Sequence, residues 1–89
     1  MSEDWEKYVR QRVEEHSDMD KLTLRVGKTV YQLWGLDQLI VYTKGNEPGA
    51  LDMTVHNITK YHNSVFIGAM IQGVRFGIEI YYSDVESVN

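Results

Sequence analysis

At 89 residues the chain makes one domain, 1–89, whose core hides a little over ~60% of the surface that the unfolded form exposes. A composition of 43% hydrophobic and 25% charged residues is ordinary for a globular protein, and the lack of any cysteine excludes disulfides, thiolate nucleophiles and cysteine metal sites. The net charge of −4 lies entirely in residues 1–20, where seven acids (Glu3, Asp4, Glu6, Glu14, Glu15, Asp18, Asp20) face three bases (Lys7, Arg10, Arg12). The rest of the chain is balanced, which points away from phosphate and nucleic-acid binding, since both rely on clustered Lys and Arg.

The acidic start, Met1-Ser2-Glu3-Asp4, is not the basic n-region of a secretion signal. No apolar run approaches the ~18 residues of a membrane span. We therefore expect a cytoplasmic protein, of a bacterium or, if viral, of its host cell. Residues 3–16 read as the only helix. Trp5, Val9 and Val13, with Tyr8, Arg12 and His16, follow one helical face. Ser2 is placed to cap the first turn, and Glu3 and Asp4 to complement its dipole.

From Lys21 the period changes to two. Strands are expected over about 21–26 and 29–34, joined at Gly27-Lys28. That hairpin opposes Leu24 to Tyr31 and Leu22 to Leu33, putting its apolar residues on one face. A third strand spans about 38–43. Lys44 to Gly49 reads as a loop holding the only proline. A fourth strand covers about 50–59. The fifth and sixth, 64–71 and 74–82, fold back at Gln72-Gly73. The pairs Ile71–Val74, Ala69–Phe76, Ile67–Ile78 and Val65–Ile80 are then all apolar and share one face. A one-residue slip would break up the whole set. Residues 83–89 read as a frayed polar tail. The expected fold class is α+β, with one N-terminal helix packed on a curled antiparallel meander of about six strands.

One helix is too narrow to cover six strands, and the face away from it carries Val30, Trp34, Ile40, Tyr42, Phe66, Met70 and Tyr81. Large apolar patches of this kind mark interfaces. Gly68 and Gly77 oppose each other on that same face and leave backbone bare. They fit a bend in the sheet, or a close approach by a ligand or another chain. The candidate binding face is therefore Trp34, Tyr42, Phe66, Gly68, Met70, Arg75, Gly77 and Tyr81.

Other signals carry less. Asp52 and His56 share a side of one strand but lie about 13 Å apart at ~3.3 Å per residue, too far for a dyad. His56 and His62 lack a third ligand, and His16 fits a structural place at a helix C-terminus. Asn57-Ile58-Thr59 matches a glycosylation acceptor only by spacing. The aromatic residues resemble a single-stranded RNA platform, but only Arg25 and Arg75 accompany them and the second helix of such folds is missing. No nucleophile elbow, carboxylate pair or zinc signature occurs, so the sequence leans away from an enzyme and calls for no cofactor or metal. Chains of this composition are common among small bacterial and phage accessory proteins, which implies no activity. The reading is an interaction module or inhibitor-type accessory protein, whose partner is a second copy or another protein. The alternative is a small-molecule binding module, with its pocket between sheet and helix or between subunits. The shape of the aromatic face separates the two.

Overall fold

The computed structural model describes residues 3–89; the expected Ser2 cap lies outside them. Helix α1 spans Glu3–Glu14, two residues shorter than expected. The chain tightens as it leaves, with His16 N–H donating to the Val13 carbonyl at 3.1 Å, an i to i−3 bond. The ammonium of Lys60 donates to the carbonyls of His16 at 3.0 Å and Glu14 at 3.4 Å, a cation at the negative end of the helix dipole.

Strands β1 (Lys21–Val26), β2 (Thr29–Trp34) and β3 (Gln38–Thr43) fall where expected, paired as the apolar alternation requires. Strand β4, Asn46–Lys60, corrects the expected loop over 44–49. Only Lys44-Gly45 turns, and Asn46 already pairs with Thr43. The next pair is Val41–Leu51, so β3 advances two residues while β4 advances five. Glu47 to Ala50 arch out of the ladder. That arch is where proline, which has no N–H to give, is tolerated in a strand.

Strands β5 (Ser64–Ile71) and β6 (Val74–Tyr81) pair in the expected register throughout. Gln72 and Gly73 both have positive φ, 50° and 80°, the signature of a type I′ turn. Residue 82 is not part of the strand. Tyr82 opens a short 3-10 turn, Tyr82–Asp84, and is fully buried. Its hydroxyl lies 2.8 Å from the Ser64 carbonyl and 3.0 Å from that of Tyr61. Burial, with the Glu14 charge adding to it, raises its pKa.

Residues 83–89 are not a frayed tail. Ser87–Val88 form β7, antiparallel to β1. Glu86 N–H donates to the Arg25 carbonyl at 2.8 Å, and Thr23 and Asn89 exchange both backbone bonds. Val85, fully buried, anchors the segment, and Glu86 meets Arg25 at 3.2 Å. Two valines among polar neighbours suffice because the backbone of β1 supplies the remaining partners.

The result is α+β: one helix and an open antiparallel sheet of seven strands rather than six, in the order β6-β5-β4-β3-β2-β1-β7. The core lies between them, with Val9 and Val13 of α1 against Leu22, Leu24, Leu33, Leu39, Val65, Ile67 and Ile80. Tyr82 and Val85 close it below. A 12-residue helix is about 18 Å long, whereas seven strands span about 29 Å. Among the described residues no helix is long and apolar enough to cross a membrane.

Candidate functional site

The face of the sheet away from α1 holds the eight candidate residues, but the register divides them. Trp34 and Tyr42 stand on β2 and β3; Phe66, Gly68, Met70, Arg75, Gly77 and Tyr81 stand on β5 and β6. Three strand spacings, about 14 Å, lie between β2 and β5. The Trp34 ring carries the Lys21 ammonium 4.8 Å from its centroid, a cation–π contact. The Tyr42 hydroxyl accepts from Gln32 Nε2 at 3.4 Å. Between the two groups, Gln38 Nε2 donates to both carboxylate oxygens of Asp52 at 3.1 and 3.2 Å. Apart from Ile40, opposite Asp52, this middle ground is polar.

On the β5–β6 side the glycine strip is not bare. A Cβ on Gly68 would stand 2.8 Å from Cε1 of His56, and one on Gly77 would stand 3.1 Å from the Phe66 ring. The two rings therefore lie over the two glycines. The sequence reading misses His56 here because it does not pair β4 with β5 and so sets no residue of β4 against Gly68. The register shifts between Val55, opposite Ala69, and Asn57, opposite Gly68. This bulge puts both His56 and Asn57 beside Gly68. The signal was in the chain: Val55 and Ile58, three apart, both turn to the core, which a regular strand forbids. A shallow depression of about 340 Å³ beside them is lined by Thr54, His56, Met70, Gln72 and Gly73.

Glu79 accepts from Ser64 Oγ at 2.7 Å and from the Tyr81 hydroxyl at 3.3 Å. Arg75, two strand rows away, makes no hydrogen bond or ion pair among the described residues. Val74, Phe76 and Leu51 face the helix side but lie beyond the helix. They are 56%, 40% and 46% exposed, with Ile71 and Val41 half-buried beside them. The sequence assigned Val74 and Phe76 to the apolar face correctly, but could not say how far the helix reaches along it.

His16, Arg12 and Asp20 serve the fold. His16 is buried, with Nε2 2.8 Å from the Gly35 carbonyl and Nδ1 3.5 Å from the Asp20 carboxylate. Since a carbonyl only accepts, the network assigns a proton to Nε2. Arg12 bonds Asp20 at 2.9 Å, and that bond above all holds the Asp20 pKa below its usual value. The space left between helix and sheet is about 10 Å³, room for one water. No three His, Asp or Glu side chains converge among the described residues. Compared with known proteins, the chain matches no family model, and no curated protein or solved structure shows significant similarity to it.

Proposed function

We propose that this chain acts by binding another protein chain through the β5–β6 end of its sheet. One observation carries the reading: Leu51, Val74 and Phe76 form an exposed apolar corner, continuous with the core, beside the sheet edge β6, with which no strand other than β5 pairs among the described residues. Monomers keep contiguous apolar patches small, and larger ones rimmed by polar groups mark protein contacts. Arg75, Glu79 and Tyr81, exposed on the opposite face of the same edge strand, add polar groups to that end. Six of the eight candidate residues, those on β5 and β6, belong to this end; Trp34 and Tyr42 do not. A chain without cysteine suits a reducing compartment such as a cytoplasm. The 10 Å³ interior does not favour a small molecule between sheet and helix.

The test is a photo-reactive residue at Phe76, with the same residue at Met19, which is 92% exposed and outside the core cluster, as control. Irradiation in cells is expected to give a discrete adduct from position 76 and none from position 19. Equal adducts from both, or none from either, would overturn the reading.

A further inference from the structure

The sheet has two edges, treated differently. At one, β7 is two residues long and follows Glu86; short, charged edges resist further pairing. At the other, β6 runs eight residues, Val74–Tyr81, with no proline, no lysine and no register shift against β5. Because Ile71 and Val74 flank a two-residue turn, they bond each other. Alternation then directs the backbone groups of Phe76, Ile78 and Ile80 to β5 as well. The N–H and C=O of Arg75, Gly77, Glu79 and Tyr81 point outward, toward no strand.

We infer that the partner is a second copy of this chain, joined β6 to β6, antiparallel, about a two-fold axis at Gly77. The inference rests on the proposed binding end and names its occupant. The strand reads the same charge pattern from either direction in complementary form: Arg75 and Glu79 lie two residues either side of Gly77. With the axis there, Gly77 faces the partner's Gly77 and each Arg75 faces the partner's Glu79. All of these are outward-pointing residues, as a hydrogen-bonded ladder requires. An axis one residue away sets Arg75 opposite the partner's Gly77 or Tyr81, and no opposite charges meet.

On the helix side the same register sets Phe76 against the partner's Ile78 and Val74 against the partner's Ile80. The exposed corner is thereby extended into one apolar strip across the axis. The glycine at the axis lets the backbones approach without side chains between them, and the Phe66 ring already lies over it. Arg75, with no partner among the described residues, finds one.

The experiment is light scattering of the full chain and its variants R75E, E79R and R75E/E79R, with hydrogen exchange of the wild type at low and high concentration. The wild type is expected to dimerise below ~100 µM, with each single variant weakened about tenfold or more and the double variant restored. The amides of Arg75, Gly77, Glu79 and Tyr81 are expected to slow with concentration. Glu79 bonds Ser64 and Tyr81, so a misfolded E79R leaves R75E to decide, since Arg75 makes no hydrogen bond or ion pair among the described residues. A wild type that stays monomeric, an R75E that dimerises as well as wild type, or amides indifferent to concentration overturns the inference. A monomer whose Phe76 adduct contains a different protein overturns the self-pairing alone and keeps the binding end.

Discussion

The indole N–H of Trp5 donates to the Val85 carbonyl at 2.6 Å across 80 residues of sequence. The first turn of the helix and the final buried valine are thus tied directly to each other. Trp5→Phe keeps a ring in place but leaves that carbonyl without its donor. We expect a loss of about 1–3 kcal/mol, read from denaturant midpoints. A change within a few tenths would show that water replaces the indole at no cost.

Ile67 and Ile78 face each other across the β5–β6 ladder, yet they are not equivalent. Ile67 is 2% exposed and lies in the core, whereas Ile78 is only partly buried. Ile67→Ala should cost roughly 2–5 kcal/mol, and Ile78→Ala clearly less. Equal costs would mean that the helix side of β6 is covered as fully as that of β5.

Two glycines with almost the same φ give a sharper comparison. Gly27 has φ +60° and open space around it, while Gly35 has φ +59° and the Asp18 carbonyl oxygen 2.8 Å from where a Cβ would sit. Gly27→Ala should cost about 1 kcal/mol, the penalty of a left-handed residue. Gly35→Ala adds a collision with backbone and should cost about 3 kcal/mol or more. Thermal unfolding of the pair checks this, and similar midpoints would refute it.

Asp20 sets an acid limit. Its folded pKa is lowered below 3.8, first by the hydrogen bond from Arg12. The stability it contributes is therefore fully present above the unfolded value and is lost as pH falls through the lower, folded one. Denaturation across that acid window is expected to bring wild type and Asp20→Asn together, with wild type the more stable at neutral pH. A gap that is independent of pH would disconnect the carboxylate from stability.

The β2–β3 residues of the second face and the exposed corner at β6 should separate in solution. Trp34→Ala removes a ring stacked by Lys21 far from β6 and is expected to leave association unchanged. Phe76→Ser should weaken it about tenfold with little loss of fold, since Phe76 is 40% exposed. Loss of association with Trp34→Ala alone would move the binding surface to β2 and β3.

Much of this architecture was legible in the sequence. Leu22, Leu24, Tyr31 and Leu33 fix one hairpin, and Val65, Ile67, Ala69, Ile78 and Ile80 fix another, because an alternating pattern tolerates only one register. What was hidden depended on departures from alternation. The arch around Pro48 resembled a loop, since a proline and two glycines mark both turns and bulges. Strand β7 was hidden because its two residues are recruited by the backbone of β1 rather than by their own side chains. The candidate site was half legible. The residues of the second face were identified, but strand order, which no side-chain pattern encodes, separates Trp34 and Tyr42 from the others. The exposed corner was hidden by its own chemistry, because an apolar residue beyond the reach of a helix reads the same as one beneath it.

The placement of Val85 also orders events during synthesis. Each strand from β2 to β6 pairs with the one made just before it, so the meander can assemble as the chain emerges. The helix is made before the meander but closes on Val85 and Tyr82, which are made after it. At about 5–20 residues per second, a growing chain therefore spends several seconds with the apolar side of its sheet incompletely sealed. Over that interval a chaperone or a neighbouring nascent chain has access to surface that the finished protein hides.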